Sequence, residues 1–243
     1  MKSVMEAGDT KAMPGSVGKG SLGSVELADG SRTNIPLINV NGAYDGPILT
    51  VVSGIHGTEV SGVGALLKLI KRIDPTSMRG ALLGIPGANP LAFRAGAYRT
   101  PIDSINLSGP WFLSPIEKEK ANISMRMVYY INQALEKADY VIDVHANPLP
   151  SIGFGLTNLG LCQDEKVRQE TRKMVEAFGL TVIDWPNKQA MGIWDVCLKY
   201  GKPTASLELP GNFYVWDDIV EIGARGIMNV MKRIQVNLGV QII

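Results

Sequence analysis

The chain has 243 residues, 45% of them hydrophobic and 19% charged, with 24 basic against 23 acidic side chains. That length suits one sizeable core and is short for two, and the even charge balance leaves no global field to draw in nucleic acid or an anionic membrane. Two cysteines, Cys162 and Cys197, cannot make a disulfide framework, and the opening MKSVMEAGDT lacks the apolar centre of a signal peptide, so a cytoplasmic protein is expected.

Residues 1–21 are rich in Gly, Ser and small polar side chains and predict a loose lead-in; residues 22–243 then read as a single domain. Short β-like runs between Gly23 and Val40 flank Asp29-Gly30, a tight-turn dipeptide. Pro47 to Ile55 is a β-branched apolar run of strand length, and from Glu59 to Ile73 the residues Val60, Val63, Leu66, Leu67 and Ile70 recur at helical spacing. Ala81 to Ile85 reads as another strand, followed by an irregular Gly-, Pro- and Ser-rich segment from Pro86 to Pro115. Glu117 to Lys137 reads as a helix and Tyr140 to Val144 as a strand.

The uncharged stretch Val144 to Gln163 is broken by Pro148, Pro150 and three glycines, so it reads as loop and strand and no transmembrane segment is expected. Gln163 to Phe178 is an amphipathic helix, Leu180 to Ile183 and Thr204 to Leu209 are strands, and Val220 to Val236 is a closing helix. Apolar strands alternating with amphipathic helices imply a three-layer α/β/α sandwich on a mostly parallel mixed sheet.

Only two histidines occur, and each falls at the carboxyl end of an apolar strand, where such sheets bind ligands. His56 is followed three residues later by Glu59 at a helix start, so the pair can share one crevice and offer an imidazole and a carboxylate to zinc; the alternative for Glu59 is a helix cap. His145 ends the Tyr140 strand. Asp143, two residues earlier, leaves the same face and either orients that imidazole or bonds to nearby backbone. Glu208 ends an otherwise apolar strand, a costly place for a carboxylate unless it is paired, bound or used. Two histidines and a glutamate leave a fourth position on the ion for water, and Glu208 beside it can act as general base and acid.

In order, the segments GIHGTE (Gly54 to Glu59), GANPLAF (Gly87 to Phe93), DVHAN (Asp143 to Asn147) and SLELPG (Ser206 to Gly211), with a closing EIGARGIMNV helix, resemble the aspartoacylase and succinylglutamate desuccinylase family of zinc carboxypeptidase-like deacylases. The resemblance covers roughly residues 22 to 238. It implies the zinc carboxypeptidase-like fold, one Zn2+ per chain held by His56, Glu59 and His145, Glu208 as general base and acid, and hydrolysis of the amide of a small N-acyl amino acid or related acylated amine.

Family members hold the substrate's carboxylate with an Asn-Arg pair, whereas this chain reads Asp103-Ser104-Ile105-Asn106-Leu107-Ser108-Gly109, keeping Asn106 as a substrate contact and lacking the arginine. The arginine that polarises the scissile carbonyl is replaced by Tyr98 in an ungapped alignment, with Arg99 next to it. Arg99 is named for that role because a cation suits a developing oxyanion; its alternative is a solvated loop side chain. Trp111 and Phe112 are expected either to wall an acyl pocket or to pack onto the core. The family's usual carboxyl-terminal β domain is expected to be missing. The expected partner is a small acylated molecule, with no nucleic acid or membrane. Alternatives are a carboxypeptidase-like peptidase sharing the metal site and a non-catalytic zinc-containing binding protein.

Overall fold

The computed structural model describes residues 2–186, 189 and 191–236. Its central sheet contains, from one edge to the other, β3 (Ser16–Glu26), β4 (Arg32–Asn41), β6 (Arg79–Ile85), β5 (Tyr44–Ser53), β7 (Tyr140–Asn147), β10 (Thr204–Pro210), β8 (Phe154–Thr157) and β9 (Thr181–Asp184). The middle four strands, β6, β5, β7 and β10, are parallel to one another, while β4 and β8 join this block antiparallel on either side.

Helices cover both faces. On one face α1 (Val60–Ile70), α4 (Glu165–Ala177) and α6 (Asp217–Arg233) pack Leu66, Leu69, Met174, Ile227 and Met231 against Leu49, Val51, Ile142, Val144 and Leu207. On the other, α3 (Ile123–Lys137) and α5 (Ile193–Lys199) pack Met127, Ile131, Leu135 and Val196 against Val52, Leu83, Ile85 and Val141. This is the expected three-layer sandwich with a mixed, mostly parallel sheet. Both faces of the inner strands are covered, so these strands are largely apolar, and their buried polar residues gather towards the carboxyl ends of β7 and β10. No helix among the described residues is long and apolar enough to cross a membrane.

The amino-terminal segment departs from expectation. Instead of a loose lead-in over residues 1–21, β1 (Met5–Ala7) and β2 (Thr10–Ala12) form a hairpin, and β3 begins at Ser16. Buried Asn39 and Asn41 on β4 hold this hairpin by donating to the backbone oxygens of Ser3, Met5 and Ala12. The glycines that suggested looseness permit close packing: a Cβ at Gly20 would lie 2.2 Å from Asp9 Oδ1.

Other boundaries shift for local reasons. The helix expected from Glu117 starts at Ile123, where the Asn122 side chain accepts the Met125 N–H as a cap. Two helices were not anticipated. In α2 (Pro90–Ala95) Asn89 caps the start, Pro90 is in the first turn and Gly96 is left-handed at the end; α5 has only seven residues. Both are too short to show a helical period.

Candidate metal centre

Three strand ends build the site. Strand β5 stops at Ser53, and Gly54, with φ of +68°, starts the turn that carries His56 to the base of α1. Gly57 is pressed against α2: a Cβ there would lie 2.0 Å from the carbonyl of Ala92, so no larger residue fits. The turn closes with the Glu59 N–H donating to the His56 carbonyl at 3.2 Å, placing Glu59 at the amino end of α1 and its carboxylate back towards His56.

The other two ends come from β7 and β10. Ile142, Val144 and Ala146 point to the α1/α6 face of the sheet, so Asp143 and His145 point to the α3/α5 face. In the parallel register Ser206 pairs with Asp143 and Glu208 with His145, while Ala205, Leu207 and Leu209 point the other way. A polar stripe, Asp143, His145, Ser206 and Glu208, therefore lies on one face of two adjacent apolar strands.

The side chains converge. One Glu59 oxygen is 2.7 Å from His56 Nδ1, and the other is 2.9 Å from His145 Nδ1. A ligand atom from each of the three residues lies within 4.8 Å of the others, and all three residues are buried. Both outer ring nitrogens are held as well: His56 Nε2 is 2.9 Å from Asn106 Oδ1, and His145 Nε2 is 3.1 Å from Asp143 Oδ2.

Electrostatics support a cation here. Burial alone pushes the Glu59 pKa up, but His145 and His56 outweigh it and bring the carboxyl down to about 2. Burial pushes His145 down, yet Asp143 and Glu59 hold its pKa well above the usual histidine value. The cluster thus stabilises positive charge in a buried place. A neutral-imidazole, carboxylate, neutral-imidazole set with outer nitrogens already bonded is the donor chemistry of a divalent transition ion with open coordination positions. The residues fit a metal.

Glu208 is partly buried at the wall of the same crevice. Its Oε1 accepts from Ser206 Oγ and its Oε2 from Asn147 Nδ2, each at 3.1 Å. Burial raises its pKa, His145 opposes this, and the neighbouring Glu59 and Asp143 charges add to it. A carboxylate whose proton affinity is raised, next to a cation site, is suited to taking and returning a proton.

Not every expected residue arrives. Arg99 is exposed and donates to the Ser104 carbonyl at 3.3 Å, outside the crevice. The adjacent Tyr98 occupies the site instead, its ring stacked on His56 at 3.8 Å and 11° between planes. Tyr98 and Arg99 are neighbours in the bend after α2, and the path of that bend brings Tyr98 and not Arg99 into the crevice. Asn106 lies in the crevice, but its oxygen is engaged by His56 and by the Ser108 N–H at 3.1 Å. Trp111 lines the crevice with its indole N–H donating to the Leu107 carbonyl, whereas Phe112 is fully buried in the core and forms no wall. Trp194 and Met191, from the unanticipated α5 and its approach, complete the rim. Asn147, two residues past His145 on the same strand face, had a sequence signal in that spacing.

Comparisons with known proteins agree with this geometry. The family described as the succinylglutamate desuccinylase/aspartoacylase catalytic domain matches residues 45–234. The N-alpha-acetyl-L-2,4-diaminobutyric acid deacetylase of Halomonas elongata is 26% identical over 192 residues, which are 77% of this chain and 54% of that protein. This chain therefore spans about half the length of that relative. Among solved structures, the product-bound ectoine utilization protein EutE (DoeB) of Ruegeria pomeroyi superposes with a TM-score of 0.80 at 22% identity, covering 98% of this chain and 71% of that one. A metallo-carboxypeptidase of Burkholderia cenocepacia gives 0.72 at 16% identity, covering 91% and 65%. At these identities the solved structures establish a shared fold.

Proposed function

Since the chain belongs to the succinylglutamate desuccinylase/aspartoacylase catalytic-domain family, we propose that it is a zinc-dependent hydrolase of the amide bond of a small N-acyl amino acid or related acylated amine. One observation carries the reading: His56, Glu59 and His145 offer three ligand atoms within 4.8 Å, with Glu208 in register beside His145. A relative named for deacetylating N-acetyl-diaminobutyrate supports the substrate class.

A bound zinc ion would act as Lewis acid on the scissile carbonyl and lower the pKa of water to about 7. The chain's residues do the rest. Asn106 and Asp143 hold the two imidazoles so that their Nδ1 atoms face inward. Glu208 takes a proton from the attacking water as its oxygen bonds to the carbonyl carbon. As the C–N bond breaks, Glu208 returns that proton to the leaving nitrogen, so the carboxylate is regenerated each turnover. Asn147 and Ser206 hold Glu208 in place for both transfers. Trp111, Trp194 and Met191 give the acyl or amine part an apolar rim.

The test is metal content, together with turnover on a panel of N-acyl amino acids, N-acyl diamines and short peptides. Stoichiometric zinc with release of free amine from an N-acyl compound is the expected result. Zinc without turnover across the panel would refute it, and turnover confined to peptides would identify a peptidase.

A further inference from the structure

We propose that the Tyr98 hydroxyl is the protein's hydrogen-bond donor to the carbonyl oxygen of the substrate as negative charge develops there. This rests on the deacylase reading above and adds a catalytic residue to it.

The position comes from two contacts. The Tyr98 ring lies flat on His56, so the phenol is fixed against a ligand of the metal cluster and does not swing in the loop. The Asn106 side chain lines the same crevice, and its pull on the phenol opposes the rise in pKa that burial causes. The Asn106 oxygen is already engaged by His56 Nε2 and the Ser108 N–H, so the group left to meet the phenol is the amide nitrogen, a donor. The phenol oxygen therefore accepts from Asn106, and its own hydrogen remains to be donated. Tyr98 lines the same crevice as His56, Glu59, His145 and Glu208, and the residue is 48% exposed.

Several other donors in or beside the crevice are committed. Asn147 donates to Glu208, the Trp111 indole to Leu107, and the Ser108 hydroxyl to Met191, while Arg99 is turned away onto Ser104. A preorganised donor stabilises an oxyanion because it needs no reorganisation when charge appears. In the step itself the water oxygen bonds to the carbonyl carbon and the C=O π pair moves to oxygen. Tyr98 donates a hydrogen bond to that oxygen without losing its proton. When the carbonyl re-forms and the C–N bond breaks, the bond from Tyr98 weakens again.

The experiment compares zinc-loaded wild type with Tyr98→Phe, which keeps the ring on His56 and removes only the hydroxyl. Turnover is measured on the acylated amine that wild type hydrolyses best, with metal content and binding of a phosphonamidate analogue of that substrate. The expected result is a kcat lower by about 10² to 10³-fold with KM within threefold. One zinc per chain should be retained, and the affinity for the analogue should fall by the same factor as kcat/KM. A Phe variant with wild-type kcat overturns the assignment, and so does one whose loss of activity tracks loss of zinc. A wild type inactive on the whole panel overturns the deacylase reading and this inference together, whereas an active wild type with an equally active Phe variant removes only the inference.

Discussion

Asp143 and His145 lie two residues apart on one strand, and Asp143 Oδ2 stands 3.1 Å from His145 Nε2, opposite the ring nitrogen that faces Glu59. Strand period alone puts the two side chains on one face, and burial of both leaves the carboxylate no water to turn to. The contact fixes the ring and raises the basicity of the nitrogen that would meet a metal. Replacing Asp143 with Asn keeps the shape and removes the charge. The expected outcome is a zinc affinity weaker by about 10- to 100-fold, read by competition with a chromophoric chelator. Unchanged affinity would mean that the pair serves the fold alone.

Because the three ligands come from different elements, β5–α1 turn and β7, an ion binding them ties two neighbouring strand ends together in the folded state only. Zinc at about 100 times its Kd should stabilise the protein by roughly 2.7 kcal/mol, which for a chain of this size corresponds to a rise in Tm of about 5–10 °C. His145→Ala should abolish the rise. Equal melting with and without zinc in the wild type would contradict a site made by these residues.

The candidate metal cluster was legible in the sequence because strand ends and side-chain period bring its residues together. His56 and His145 each follow an apolar run, Glu59 follows a glycine turn, and Glu208 falls beside His145 once β7 and β10 pair in parallel. Residues supplied by irregular chain were not legible in the same way. Tyr98 and Arg99 are neighbours in a loop with no period, and only the path of that loop decides that Tyr98 meets His56. Trp194 and Met191 arrive with a helix of seven residues that shows no repeat. The amino-terminal hairpin was hidden for the opposite reason, since the small residues that permit its close packing are also those of flexible chain.

Glu208 has both oxygens engaged, by Ser206 and Asn147, yet it contributes no ligand to the three-residue cluster. Glu208→Gln should therefore leave zinc binding unchanged while lowering kcat by at least about 10² to 10⁴-fold, the usual worth of a general base and acid. Parallel metal analysis and steady-state assays check both halves. Residual turnover close to wild type would remove Glu208 from the proton path.

Gly57 offers a test of how the turn is held. A methyl group there would meet the Ala92 backbone at 2.0 Å, and backbone in a capped helix cannot yield cheaply. Gly57→Ala should cost about 1–3 kcal/mol and weaken zinc binding, because displacing the turn moves His56 and Glu59 together. Gly30→Ala, where an added Cβ meets nothing but φ is +80°, tests backbone strain alone and should leave zinc binding untouched. Zinc affinity equal to wild type in the Gly57 variant would show that α2 does not position the ligands.

Asp195 sits fully buried in the first turn of α5, where its carboxylate accepts the Met191 N–H at 2.9 Å and bonds to Asn158. Burial raises its pKa from 3.8 to about 6, against the lowering effect of those two bonds and with added repulsion from Asp143. The folded protein therefore binds this proton more tightly than the unfolded chain. The stabilisation is fully present below pH 4 and is lost as pH rises through about 6, a swing of up to about 3 kcal/mol for two pK units. Asp195→Asn keeps an acceptor for Met191 and has no charge to bury. Its Tm should match or exceed wild type at pH 8, with the advantage gone by pH 4, in thermal melts across that range. A variant less stable than wild type at pH 8 would show that the ionised carboxylate is needed to hold the approach to α5.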